Sequence, residues 1–175
     1  MKFALWLILL LPLCASAKDD YEVAGDYLQI ALPVGALATT YLFDDDEGRG
    51  QLAKSFFVSW AVMGSMKYTI NRQRPSGGNY SFPSGHTTAA FAGASYLQRR
   101  YGWKVGVPAY GLASFVGWSR VEAERHYVSD VLAGAGLAIT STYYFVTPKE
   151  ADDDGFSLGI TWLPKGFGIS WSLEF

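Results

Sequence analysis

SFPSGHTT, residues 81–88, places a proline, a serine and a glycine directly before one of the two histidines of the 175-residue chain. Serine is among the best helix N-caps, because its hydroxyl accepts a hydrogen bond from a backbone N–H of the first turn. The stretch therefore predicts a helix over residues 84–101 that begins at Ser84. Taken by itself, the segment is a capped turn, and His86 would be an ordinary structural or surface histidine.

Apolar runs with recognisable end signals predict four more helices around this one. Their expected ranges are 23–43, 51–71, 105 to about 118 and 127 to about 146. Pro33 predicts a kink in the first of them, and Arg74-Pro75 ends the second, since a residue before proline is pushed out of helical geometry. The acidic residues 44–47 are expected to form a solvated loop. The sequence thus predicts an all-α helical bundle of about five core helices, or six if the N-terminal segment is retained.

The two ends of the chain differ from this helical domain, which is expected to cover residues 18–148. Residues 1–17 contain one lysine, an apolar run and then Ala15-Ser16-Ala17, the pattern of a secretory signal peptide. The alternative is an uncleaved membrane helix, although the segment is short for a span. In residues 155–175 apolar residues alternate with small or polar ones around Pro164 and Gly166, which predicts a C-terminal β-hairpin.

The overall composition limits the classes of molecule that the protein is expected to bind. Half of the residues are hydrophobic, 17% are charged and the formal net charge is −2. Such a chain lacks the basic field that binding to a nucleic acid backbone requires, so nucleic acid is excluded as a partner. The apolar composition, together with helices rich in alanine, glycine and serine, favours contact with a membrane.

Reactive side chains cluster at helix ends that an alternating bundle places on one side. These ends carry Lys67, Arg74, Ser84, His86, Arg120, His126 and Asp130. The free N–H groups at the start of the third helix would point into the same volume with the positive end of the helix dipole. Three fixed cations beside such a helix start suit a tetrahedral oxyanion with two charges, and phosphate is the obvious candidate.

The two histidines add chemistry to this oxyanion site. His126 and Asp130 stand four residues apart, so the carboxylate can hold one imidazole nitrogen while the other is free to attack phosphorus. His86 would lie across the phosphate and protonate the leaving oxygen. Each residue also has a structural interpretation, for example Lys67 as a snorkelling side chain and Arg120 as half of a surface ion pair. The joint occurrence of both histidines and three separated cations on one predicted face favours a reaction site.

Three runs in this order resemble the signature of the type-2 phosphatidic acid phosphatase and vanadium haloperoxidase superfamily. They are Lys67-x6-Arg74-Pro75, Pro83-Ser84-Gly85-His86 and Ser119-Arg120-x5-His126-x3-Asp130. The resemblance implies that His126 is the nucleophile that forms a phosphohistidine, that Asp130 orients it and that His86 is the general acid and base. It further implies that no metal or other cofactor is needed and that the phosphoryl oxygens bind to Lys67, Arg74, Ser84, Gly85 and Arg120.

The resemblance implies a metal-independent phosphatase that hydrolyses phosphomonoester or diphosphate groups. The apolar helices favour a phosphorylated membrane lipid as the substrate. The expected location is the inner membrane with the active site facing the periplasm, or the periplasm in association with the membrane. A soluble periplasmic acid phosphatase of broad specificity is the alternative, and a vanadium haloperoxidase is less favoured because its members are usually much longer chains.

Overall fold

The computed structural model describes residues 17–149, 156–163 and 166–173. The first of these ranges folds into five α-helices, which confirms the predicted number of core helices. They are α1 (Ala17–Leu42), α2 (Asp46–Ile70), α3 (Gly85–Tyr101), α4 (Trp103–Glu122) and α5 (Val128–Phe145). Apart from Ala17, where α1 begins, the predicted signal peptide lies outside the described residues.

Helix α3 forms the centre of the bundle, because it packs against all four other helices. Its core face consists largely of small side chains, and Ala90 and Ala94 are fully buried. Leu32 of α1 and Val116 of α4 pack into the same core cluster. Small side chains on the shared helix allow its neighbours to approach closely, so the bundle holds the N-terminus of α3 in the middle of one end.

Two helix starts differ by more than two residues from their predicted positions. Helix α1 begins at Ala17 instead of residue 23, so it includes the polar segment that precedes its apolar run. Helix α2 begins at Asp46 instead of residue 51, since Asp45 caps it by accepting a hydrogen bond from the Gly48 N–H at 2.9 Å. Both helices are therefore longer than their apolar runs.

The prediction that residues 44–47 form a solvated loop holds for Asp44, which lies in an exposed turn, and is wrong for residues 45–47. Asp46 and Glu47 belong to the first turn of α2. Asp45 is buried and pairs with Arg100 of α3, with 2.6 Å between Oδ1 and Nη2 and side-chain exposures of 3% and 4%. Hydrogen bonds from Arg100 hold the pKa of the Asp45 carboxyl well below its usual value. The acidic run therefore contains a buried link between the start of α2 and the end of α3.

Two strands follow the helices along the chain. They are β1 (Phe156–Leu163) and β2 (Gly166–Leu173), which pair antiparallel with Phe156 opposite Leu173. Residues 164 and 165 of the predicted turn lie outside the described residues. The complete C-terminal hairpin over residues 155–175 therefore stays a prediction.

Large apolar side chains lie on the outer faces of the helices. Ile30 and Val34 of α1, Phe57 of α2 and Leu132 of α5 each expose more than half of their surface. In residues 17–149, no helix combines the length and the apolar character needed to cross a membrane. Adjacent exposed apolar residues such as Ile30 and Val34, one helical turn apart, are typical of an interaction surface.

Candidate active site

The predicted site residues lie at one end of the bundle, where the end of α2 and the starts of α3 and α5 meet. The Lys67 ammonium, in the last turn of α2, donates to the Pro83 carbonyl oxygen at 3.0 Å. The Ser84 backbone N–H donates to the Asp130 carbonyl oxygen at 3.0 Å, which joins the starts of α3 and α5. The end of α4 and the first turns of α1 complete this end of the bundle. It contains Lys67, Arg74, Ser84, Gly85, His86, Arg120, His126 and Asp130.

Two glycines allow helices to approach this end closely. A side chain at Gly25 of α1 would collide with Ser119 and Arg120 of α4. A Cβ at Gly134 of α5 would lie 2.6 Å from the Ser84 carbonyl oxygen. Such distances are too short for a real Cβ atom against a backbone or a buried side chain. Both glycines therefore bring a neighbouring helix onto a site residue.

The start of α3 has the capped geometry that the sequence predicts. Ser84 is the N-cap residue, and its Oγ accepts hydrogen bonds from the Thr87 N–H at 3.4 Å and from Thr87 Oγ1 at 3.0 Å. Gly85 is the first residue of the helix and His86 the second. N–H groups of a first turn have no partner within the helix, so this helix start can bind an anion.

Lys67 and Arg74 both contact the loop that leads to α3. Lys67 Nζ also donates to the Tyr80 carbonyl oxygen at 2.8 Å, and Arg74 Nε donates to that of Asn79 at 3.2 Å. Burial and the positive charge of Arg74 lower the pKa of Lys67. An ammonium has three hydrogens to donate and a guanidinium has five. Both side chains therefore retain donors for a ligand while they hold the loop.

A carboxylate on α1 joins Arg120 to His86. Oδ1 of Asp26 accepts from Arg120 Nη1 at 2.7 Å and lies 3.0 Å from His86 Nε2. Arg120 is 2% exposed and also donates from Nη2 to the Glu22 carbonyl oxygen at 2.5 Å. Burial and the charge of Arg120 lower the pKa of His86, while Asp26 opposes them. Asp26 thus fixes the position of one histidine and one cation of the site.

Asp130 is fully buried and accepts hydrogen bonds from three donors. Its Oδ2 accepts from Ser81 Oγ at 2.5 Å and from the Tyr127 N–H at 3.0 Å, and its Oδ1 accepts from Arg72 Nη1 at 2.8 Å. Nδ1 of His126 lies 3.7 Å from Oδ2, beyond hydrogen-bonding distance. The direct hydrogen bond expected from the four-residue spacing is absent, because His126 precedes the first residue of α5 and does not share a helix face with Asp130.

The surroundings of His126 favour its neutral form. The residue is 3% exposed, and burial together with the charges of Lys67 and Arg74 lowers the pKa of its imidazole. The charge of Asp130 and a hydrogen bond with the Ser81 backbone partly offset this effect on the pKa. A neutral imidazole has a lone pair on one ring nitrogen and can act as a nucleophile. The electrostatics therefore suit a histidine that attacks an electrophile at neutral pH.

The sequence motifs do not contain three of the residues that build this end of the bundle, namely Asp26, Ser81 and Arg72. Asp26 has a signal in the sequence, since it is one of few polar residues in the apolar run at 23–43. Ser81 is the first residue of the stretch SFPSGHTT and lies three residues before the cap. Arg72 is distinguished from its neighbour Arg74 only by the fold, which directs it to Asp130.

Residues 50–151 match the model of the PAP2 superfamily. The chain is 42% identical over 98 residues to a lipid A 1-phosphatase of Porphyromonas gingivalis, and this alignment covers 51% of the chain and 22% of that protein. It is 30% identical over 138 residues to a lipid A 4'-phosphatase of Helicobacter pylori, covering 72% of the chain and 69% of that protein. The chain thus spans less than a quarter of the first relative and more than two thirds of the second.

Two solved structures have a similar fold. The crystal structure of Aquifex aeolicus LpxE superposes with a TM-score of 0.64 at 21% identity, over 73% of this chain and 83% of that one. A transmembrane PAP2 type phosphatidylglycerolphosphate phosphatase from Bacillus subtilis gives a TM-score of 0.61 at 22% identity, over 73% and 74% of the two chains. The family model covers more than half of the 175 residues. The resemblance seen in the motifs is therefore confirmed, and the chain belongs to the PAP2 superfamily.

Proposed function

We propose that this chain is a phosphatase that removes a phosphate group from a membrane lipid through a phosphohistidine at His126. The observation that carries this proposal is the meeting of both histidines with Lys67, Arg74 and Arg120 around the start of α3. Burial and the neighbouring positive charges both lower the pKa of the two imidazoles. A phosphate dianion would offset the effect of those charges on binding.

The proposed phosphate site uses donors that the protein has not yet committed. Lys67 keeps one of its three ammonium hydrogens after its two bonds to carbonyl oxygens. The hydroxyl of Ser84 accepts two bonds and retains its own hydrogen. Gly85 provides backbone at the helix start, while Arg74 and Arg120 supply fixed charge. Preorganised donors of this kind stabilise the charge that develops on the phosphoryl oxygens in the transition state.

The proposed reaction has two displacements at phosphorus. In the first, Nε2 of His126 forms a bond to phosphorus, the bond to the lipid oxygen breaks, and protonated His86 gives its proton to that oxygen. In the second, a water molecule gives a proton to His86 and the water oxygen bonds to phosphorus. The P–N bond breaks, and inorganic phosphate is released. Both histidines return to their starting states. No step requires a metal ion.

An apolar groove beside the site supports a lipid substrate. It has a volume of about 480 Å³ and lies between α1 and α2, where Ile30, Val34, Phe57 and Trp60 contribute to its walls. Ala89, which also lines it, comes one helical turn after His86 on α3, so the groove begins next to the proposed site. A cleft with apolar walls suits a hydrocarbon chain. The relatives named for lipid A phosphates and for phosphatidylglycerolphosphate favour the same class of substrate.

The helical domain, residues 18–148, would be the catalytic unit, held at the inner membrane with the site on the periplasmic side. The exposed apolar side chains of α1 and α2 support this membrane location. Cell fractionation tests it. We expect the protein in the membrane fraction. Its release with the soluble periplasmic fraction, without detergent, would favour a soluble acid phosphatase.

A substrate panel tests the activity itself. The purified chain in detergent micelles is assayed, with and without EDTA, for release of inorganic phosphate from phosphatidic acid, phosphatidylglycerol phosphate, undecaprenyl diphosphate and lipid A. We expect release from at least one lipid, and none after His126→Ala. Release only from soluble phosphate esters would contradict the lipid assignment. Loss of activity on adding EDTA would contradict the metal-independent mechanism.

A further inference from the structure

Ser81 lies between the carboxylate of Asp130 and the imidazole of His126. Its Oγ is 2.5 Å from Asp130 Oδ2 and 3.4 Å from His126 Nδ1, whereas the latter two atoms are 3.7 Å apart. Ser81 and Asp130 are fully buried and His126 is 3% exposed. The hydroxyl is therefore the group through which the carboxylate and the imidazole are in hydrogen-bonding contact.

The hydrogens in this group of three can be assigned from chemistry. An ionised carboxylate only accepts, so the hydrogen of the Ser81 hydroxyl points to Asp130. The short O–O distance is typical of a hydrogen bond to a charged acceptor. The serine oxygen then presents a lone pair to His126. Nδ1 of His126 must carry the hydrogen of the neutral ring, and Nε2 is left with the free lone pair.

We infer that Ser81 is a positioning residue through which Asp130 fixes the tautomer and the orientation of His126. This inference rests on the proposed function, in which Nε2 of His126 attacks phosphorus. It differs from the expectation that Asp130 holds the imidazole directly. The first residue of SFPSGHTT thus acts on His126, while the last residues of the stretch form the start of α3.

Arg72 holds both partners of this linkage in place. Its carbonyl oxygen accepts from the Ser81 N–H at 2.8 Å, and its Nη1 donates to Asp130 Oδ1 at 2.8 Å. The guanidinium carbon lies 4.0 Å from the centre of the Tyr127 ring, a cation–π contact. Arg72 binds both the Ser81 backbone and the Asp130 carboxylate. The loop before α3, which contains Arg72, therefore sets the distance between Ser81 and Asp130.

An intervening hydroxyl also has an electrostatic consequence. The charged groups that face His126 are Lys67, Arg74 and Asp130, and Arg72 partly neutralises Asp130. A carboxylate that accepts directly from the ring would stabilise the imidazolium more strongly than a hydroxyl does. Ser81 therefore lets Asp130 choose the tautomer while the ring stays neutral, which is the nucleophilic form.

The tautomer can be observed by NMR in the full-length chain, because it contains two histidines. Nitrogen-15 shifts of the imidazoles are measured at pH 7, and His86→Gln assigns the two sets of signals. We expect hydrogen on Nδ1 and a bare Nε2 for His126 in the unaltered chain, and a mixture of tautomers in Ser81→Ala. Ser76→Ala, the same change at an exposed serine of the same loop, is expected to keep the original signals.

Kinetics on an active lipid phosphate give a second measurement. Ser81→Ala should lower kcat by at least about ten-fold, as loss of a group that orients a catalytic histidine does. Its KM should change little, because the proposed phosphate contacts of Lys67 and Arg74 remain. Ser81→Thr, which keeps a hydroxyl, should recover part of the lost kcat.

Two results would overturn the inference. One is hydrogen on Nε2 of His126 in the unaltered chain, a result that does not depend on the folding of Ser81→Ala. The other is a folded Ser81→Ala chain that keeps the Nδ1–H tautomer and full kcat. A chain that shows the expected tautomer but hydrolyses no lipid phosphate would contradict the proposed function and leave the Ser81 linkage supported.

Discussion

Oδ1 of Asp26 lies 3.0 Å from Nε2 of His86, so a carboxylate from the first helix holds the proposed proton donor. The same oxygen binds Arg120, which lowers the pKa of His86 together with burial. Asp26 opposes both effects by stabilising the imidazolium. It is a positioning residue for the acid in the proposed mechanism, although it lies outside all three sequence motifs.

Replacing Asp26 with asparagine should therefore move the pH profile. Without the carboxylate the pKa of His86 falls further, because burial and Arg120 are no longer opposed. The protonated, active form of the acid is lost as pH rises through that pKa, so the basic limb of the kcat profile should shift to lower pH. The measurement is kcat against pH for one lipid phosphate. Asp20→Asn, at an exposed position of the same helix, is the control, and a basic limb that stays in place or moves upward would contradict this role.

The buried pair of Asp45 and Arg100 should contribute to stability and not to catalysis, because it lies at the opposite end of α3 from His86. Asp45→Asn leaves a buried guanidinium without its main partner, which costs about 3–5 kcal/mol in the free energy of unfolding. Urea unfolding measures this loss. Asp46→Asn, at an exposed partner of Arg49, should change stability by less than about 0.5 kcal/mol. Equal losses of unfolding free energy in the two variants would contradict a larger contribution from the buried pair.

The same pair predicts a dependence of stability on pH. The folded-state pKa of Asp45 lies below its usual value, so its contribution is present above the unfolded pKa of about 4 and declines as pH falls toward the folded value. The difference in unfolding free energy between the unaltered chain and Asp45→Asn should therefore shrink on acidification below about pH 4. A difference that grows as the pH falls would contradict this contribution of Asp45 to stability.

Filling the groove between α1 and α2 should separate lipid binding from phosphate chemistry. Ala53 lines the groove, and Ala53→Trp would occupy part of it. We expect kcat/KM to fall about ten-fold for a long-chain phosphatidic acid, equivalent to about 1.4 kcal/mol, and to stay unchanged for a short-chain analogue. Ala61→Trp, at an exposed position of α2 outside the groove, controls for the bulk of the indole. Equal losses on both substrates would contradict an acyl-chain site.

Some helix ends could be assigned from the sequence because they depend on local rules. The cap at Ser84 is set by hydrogen bonding within a few residues, and α2 ends at Ile70, next to its predicted end, with Asn71 in the left-handed conformation as its C-cap. Short connections then bring alternate helix ends together. Asp26 could not be assigned, since no spacing rule connects it to His86 and Arg120. The burial of Asp45 could not be predicted for the same reason, because its partner Arg100 is 55 residues away in the sequence.

The relation between His126 and Asp130 shows a different limit of sequence patterns. A four-residue spacing places two side chains on one helix face only when both lie on the helix, and α5 begins after His126. The structure places Ser81 in the gap that results. The motif therefore identified the two residues but not the contact between them.

Trapping the phosphoenzyme tests whether His126 is the nucleophile. A lipid substrate labelled with phosphorus-32 is mixed with the enzyme and quenched in alkali within one turnover, and the labelled residue is located by peptide mapping. We expect label on His126 that survives alkali, is lost in mild acid and is absent from His126→Ala. Label on another residue, or near-normal turnover by His126→Ala, would contradict it.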